Sequence, residues 1–160
     1  MSGYCKWSHL LQIAATLQFV FACCNATSFY TGEFFVTKHP IKTKQAPEAI
    51  GTYSQAIDTG NVVYLSGQIG LDPKTMQIVD GFEAQANQVF TNLRAVAAAA
   101  GATLEQVVKL TVFVTDLGNF AKLNEIMGSY FNEPYPARSA VGVSQLPRGA
   151  LIEIEAIVLK

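Results

Sequence analysis

A chain of 160 residues with a net charge of −1 and 14% charged residues offers no electrostatic footprint for a nucleic-acid backbone or an anionic membrane. Half of the residues are apolar, which suits one domain with a full core and argues against a disordered chain. From Val36 onward there is one histidine, His39, and neither cysteine nor tryptophan, which removes His/Cys metal sites and both Cys–His and Ser–His–Asp catalysis.

Residues 1–35 differ in composition from the rest. They hold all three cysteines (Cys5, Cys23, Cys24), the lone Trp7, and the apolar run "LLQIAATLQFVFACC" that follows Lys6. The run resembles a secretory signal with a cut after Ala26, although Gln12, Thr16 and Gln18 interrupt it. At fifteen residues it is too short for a comfortable membrane span. Residues 1–35 are therefore read as an N-terminal extension, signal-like or simply outside the core, and 36–160 as the domain. Cysteines retained in a reducing compartment would be free thiols.

Along the domain, "NVVYLSGQIG" (Asn61–Gly70) reads as a strand entered by a turn at Thr59-Gly60, with a short partner strand around Tyr53–Ile57. From Phe82 to Ala100 the apolar residues recur at helical spacing, and Gly101 stands where a C-terminal cap belongs. Thr103 and Gln106 have capping-box spacing. "VVKLTVFV" (Val107–Val114) is β-branched and strand-like, with Val107 and Phe113 on one side and Val108, Leu110, Val112 and Val114 on the other. Asp116 opens a second helix expected to run through Phe131 and to bury Leu117, Phe120, Leu123 and Met127. "EPYPARSAVGV" leads into a strand near Arg138–Val143, and "LPRG" turns into the final strand "LIEIEAIVLK". The order ββαβαββ is an α+β domain whose two helices can cover only one face of the sheet. The other face stays partly apolar, which predicts burial against further copies of the chain, with clefts between subunits.

The final strand places Glu153 and Glu155 on one side together with Ile157 and Leu159. A wholly solvated face would not turn apolar there, so Glu153 is expected to be half buried. Arg138 follows two prolines in "EPYPARSAV", and its guanidinium suits bidentate capture of a carboxylate. If the strands carrying Arg138 and Glu153 pair, both side chains face one pocket. Tyr53, Ser66, Gly67 and Asn124 complete the candidate set. Each has an ordinary alternative: a paired surface arginine, exposed glutamates, a core aromatic, a strand end, a solvated helix asparagine.

In combination the segments say more. "APEAIGTYSQAID", "VVYLSGQIGLDPKT", "KLNEIMGSYF", "YPARSAVGV" and "ALIEIEAI" closely resemble the RidA family of reactive enamine/imine deaminases, over roughly Thr37 to Lys160. The resemblance implies a chorismate-mutase-like fold, a homotrimer with a central barrel, and active sites between subunits. Arg138 would hold the substrate carboxylate and Glu153 the attacking water, with Tyr53, Ser66, Gly67 and Asn124 as walls. The implied substrates are 2-aminoacrylate/2-iminopropanoate and 2-aminocrotonate/2-iminobutanoate, hydrolysed to 2-oxo acids and ammonia without metal or cofactor. The family is typically cytoplasmic, and the signal-like extension makes export the alternative. Thr52 and Gly70 stand where many relatives carry proline, which is expected to loosen the nearby loops, and Ala140 stands where some carry cysteine. Two rival readings remain: a single-strand endoribonuclease and translation inhibitor, for which no basic groove or internal histidine is present, and a non-catalytic sensor of 2-oxo or amino acids.

Overall fold

The computed structural model describes residues 37–160. The readings made for residues 1–35 lie outside the described residues. Among these residues six strands form one mixed sheet in the order β1-β2-β3-β6-β4-β5, and two α-helices cover one of its faces. The strands are β1 (His39–Ile41), β2 (Ala56–Asp58), β3 (Val62–Ile69), β4 (Val107–Val114), β5 (Ala137–Gly142) and β6 (Ile152–Leu159). The helices are α1 (Phe82–Ala99) and α2 (Phe120–Gly128). No helix among the described residues is long and apolar enough to cross a membrane.

The expected order gains one strand. His39–Ile41 pairs antiparallel with β2 at the sheet's edge, where Pro40 is tolerated because an edge strand leaves one side of its backbone unpaired. Strand β2 starts later than Tyr53. The preceding loop is held instead by Gln55, whose buried side-chain amide donates to the carbonyls of Thr43, Ala46 and Pro47 while its oxygen accepts from the Thr43 amide. One side chain thereby supplies the hydrogen bonds that a strand partner would have supplied.

Helix α1 presents Ala86, Val89, Phe90, Leu93, Val96 and Ala97 to the sheet, as its spacing predicts. It ends at Gly101, whose φ of +77° is left-handed, and the Ala102 amide returns to the Ala97 carbonyl. Thr103 and Gln106 form the expected capping box on the turn that follows. Asp116 caps a short 3₁₀ turn (Leu117–Asn119) rather than the α-helix itself, its carboxylate accepting from the Gly118 amide. Helix α2 then stops at Gly128, three residues short of Phe131, which closes the segment through a turn bond to the Met127 carbonyl. Leu117 sits in the 3₁₀ turn and is exposed, while Ile126 takes its place in the core beside Leu123.

Strand β4 departs from simple alternation. Its pairing with β6 steps from Val107↔Val158 to Lys109↔Ile157, so Val108 is an extra residue that bulges outward. Val107 consequently joins Leu110, Val112 and Val114 on the helix-covered face, and Val108 is exposed. A one-residue bulge moves everything before it to the opposite face, and period-2 counting cannot anticipate it.

The largest correction concerns β5 and β6. They are consecutive but do not pair: β4 lies between them, parallel to β5 and antiparallel to β6. Parallel neighbours need a crossover rather than a hairpin, and α2 supplies it. The face without helices carries Tyr64, Ile69, Lys109, Phe113, Val141, Glu153, Glu155, Ile157 and Leu159. Tyr64, Val141 and Leu159 are exposed there.

Candidate functional site

Glu153 lies in the middle of the helix-free face, opposite Ile69 on one side and Phe113 on the other. Burial pushes its carboxyl above the usual range, and the neighbouring Glu155 carboxylate pushes it further the same way. No cation contributes in the opposite direction. The expected half-buried glutamate is thus found, and it is poised to take up a proton.

The chain beside Glu153 is arranged to make room for it. Between Leu65↔Ala156 and Gln68↔Ile154 the β3–β6 register shifts, and Ser66 and Gly67 occupy the irregularity. A side-chain carbon on Gly67 would collide with Glu153 Oε1 and lie 2.9 Å from its Cδ, so the carboxylate rests directly against bare backbone. Ser66 turns its hydroxyl to the Ser54 carbonyl at 2.6 Å and its amide to the Gln55 carbonyl at 3.0 Å. It therefore ties the 50–55 loop to β3, and its oxygen keeps acceptor capacity toward the cleft. Tyr53, on that loop, is half exposed, with its phenol oxygen 3.4 Å from the Ile50 amide. Tyr53, Ser66, Gly67 and Glu153 line one cleft of about 590 Å³ together with Ile50 and Arg148.

Arg138 lies elsewhere. It pairs with Leu110, whose side chain is in the core, so Arg138 projects toward the helix-covered face. There its Nη1 donates to Asn124 Oδ1 at 2.8 Å and to Met127 Sδ at 3.1 Å, and the guanidinium lies 4.9 Å from the Phe120 ring centre. Asn124 thus orients the arginine. The two line a second cleft of about 460 Å³ with Met127, Tyr135 and Pro136.

Within one chain the six candidate residues fall into two groups on opposite faces of the sheet: Tyr53, Ser66, Gly67 and Glu153 on one side, Arg138 and Asn124 on the other. The expectation that Arg138 and Glu153 face a common pocket of a single chain fails because β4 intervenes and the register sets their parities opposite. Sequence reading also passed over Gln55 and Arg148. Gln55 carried no signal beyond "TYSQA", whereas an arginine between Pro147 and Gly149 in a turn was a visible oddity.

Comparison with known proteins bears on the same segments. The family model described as Endoribonuclease L-PSP matches residues 43–160. A 2-iminobutanoate/2-iminopropanoate deaminase of Dermatophagoides farinae is 47% identical over 123 residues, covering 76% of this chain and 96% of that protein. The crystal structure of RidA from the Antarctic bacterium Psychrobacter sp. PAMC 21119 is 53% identical and superposes with a TM-score of 0.75, covering 76% of this chain and 99% of that one. The structure of E. coli TdcF with bound serine is 40% identical with a TM-score of 0.74, covering 77% of this chain and 99% of that one. A shared mixed sheet with two helices, a family model matching residues 43–160, and near-full-length relatives at about half identity place this chain in the RidA (RutC, endoribonuclease L-PSP) family.

Proposed function

We propose that the protein is a hydrolytic deaminase of 2-imino acids, acting as a homotrimer whose active sites form between subunits. The observation that carries this reading is Glu153: a half-buried carboxylate against bare backbone in a cleft, raised in pKa and without a cation partner. Such a group serves as a base for a bound water. Arg138, oriented by Asn124 and Phe120, has guanidinium donors to spare for a ligand carboxylate. Because the two lie on opposite faces of one sheet, a complete site takes Arg138 from one subunit and Glu153 from its neighbour. Packing the helix-free faces together would bury Tyr64, Val141 and Leu159 at the same time.

The proposed reaction follows from that geometry. The substrate carboxylate pairs with Arg138, which sets the imine carbon before the water held by Glu153. Water adds its oxygen to the imine carbon while Glu153 takes one water proton and passes it to the imine nitrogen, giving the neutral carbinolamine. Glu153 then moves the hydroxyl proton to the amino group, the C–N bond breaks to release ammonia, and the oxygen closes to the carbonyl of the 2-oxo acid. The naming of relatives from mite and mouse as 2-iminobutanoate/2-iminopropanoate deaminases supports this substrate class, and the serine bound to TdcF supports a ligand of amino-acid size. Other relatives carry endoribonuclease names. Among the described residues no histidine lines either cleft, so the imidazole acid–base pair that RNA cleavage commonly uses is not supported there.

A coupled assay tests the proposal. A dehydratase generates 2-aminoacrylate from serine, and 2-oxo acid release is followed with wild type, Arg138→Ala and Glu153→Gln. Wild type should accelerate release, and each variant should lose about a hundredfold or more in kcat/KM. Failure of the folded wild type to accelerate release sinks the deaminase reading.

A further inference from the structure

Arg148 stands on the rim of the Glu153 cleft and is unused by the reaction just described. Its backbone is left-handed, with φ +56° and ψ +20°, a conformation that glycine adopts without strain and arginine does not. Its Nη1 donates to the carbonyl of Met76 at 2.9 Å, and Met76 is itself left-handed at φ +56°. Two left-handed residues from separate loops are thus joined by one bond that fixes the guanidinium beside Met76, while Arg148 lines the Glu153 cleft. The ion pairs among the described residues are Lys122–Glu125 and Lys160–Asp58, so Arg148 is not neutralised by a carboxylate there. It also takes no part in the forces on Glu153, whose pKa is governed by burial and by Glu155. The arginine therefore is not paired with the Glu153 carboxylate and has donors left for an anion in the same cleft.

We propose that Arg148 forms a second anion subsite, so that the cleft selects ligands with a carboxylate at the far end of the side chain as well as the one beside the reacting carbon. That such ligands are imino acids rests on the deaminase reading; the preference for a second anion rests on Arg148. A planar guanidinium with one edge committed to Met76 still presents a pair of N–H groups to a carboxylate. Keeping arginine where glycine would relieve the backbone points to use of the side chain.

Calorimetric titration of the full chain with 2-oxobutanoate and with 2-oxoglutarate tests the subsite without turnover. Wild type should bind the dicarboxylate about tenfold more tightly, the difference shrinking with added salt. Arg148→Gly, which suits the left-handed backbone and so retains the fold, and Arg148→Ala should both bring the ratio close to one. Equal affinities in wild type, a preference that survives both substitutions, or binding of neither acid overturns the subsite. A second arm compares kcat/KM for the imines formed by oxidising aspartate and alanine with amino-acid oxidases. A binding preference lost in the variants, with neither imine hydrolysed faster by wild type, leaves the subsite standing and removes the deaminase reading instead.

Discussion

Glu153 is governed by what surrounds one carboxyl group. Burial and Glu155 both favour its protonated form, so its folded pKa lies above the ordinary 4.5. On the proposed reading Glu153 acts as a base and must be ionised, so activity should rise with pH through that raised value. In Glu155→Gln one of the two causes is removed, and the acid limb of the kcat/KM profile should move to lower pH. Stability runs the other way. The protonated carboxyl is favoured by folding, so this contribution is full below the unfolded pKa and is lost as pH rises through the folded one. Gly67 belongs to the same argument. A methyl there meets the movable end of Glu153, so Gly67→Ala should unfold within a few degrees of wild type while kcat falls about tenfold or more. Thermal unfolding and steady-state kinetics on one preparation check both halves.

At the scale of an element, Gly70 gives the opposite outcome from the same substitution. A side-chain carbon there would lie 2.6 Å from Gln85 Cβ and 2.7 Å from its Cα, against the body of α1 rather than a flexible tip. Helix α1 seats tightly on the end of β3 at this point. Gln85 is itself buried and accepts a hydrogen bond from the Leu151 amide at 2.8 Å, so the helix also braces the start of β6, two residues before Glu153. Gly70→Ala must push α1 away and should cost about 1–3 kcal/mol in denaturant unfolding. A cost below about 0.5 kcal/mol would show that the helix can shift freely.

Across the whole molecule, the placement of Arg138 and Glu153 on opposite faces makes a specific demand. If each active site draws one of them from either of two subunits, inactive Arg138→Ala and Glu153→Gln chains should complement one another. In oligomers reassembled from equal amounts, about a quarter of such shared sites combine an intact Arg138 with an intact Glu153. Activity should therefore return on co-refolding and stay absent when the two are merely mixed without exchange. No recovery in reassembled mixed oligomers would place both residues in a site of a single chain. Size and subunit exchange can be followed by sedimentation and by mass spectrometry of the mixed oligomers.

Much of this was legible in local pattern. The alternation of "IEIEAIVL" told of a half-buried carboxylate, the 3.6-residue spacing after Phe82 marked α1, and Thr103 with Gln106 announced their turn, because each depends on residues close in the chain. The unclothed apolar face followed from counting helices against strands. What stayed hidden involves partners distant in sequence or shifts of register. Nothing near Val108 marks a bulge, nothing in "TYSQA" reveals that Gln55 will hold a whole loop, and nothing in "LPRG" states that Arg148 will be left-handed and tied to Met76. The sequence by itself therefore determined the local shape around each candidate group, and proposed its chemistry. Tertiary structure alone decided that β4 separates β5 from β6, since strand order is set by crossover and packing rather than by adjacency. That one choice puts Arg138 and Glu153 on opposite faces of the sheet.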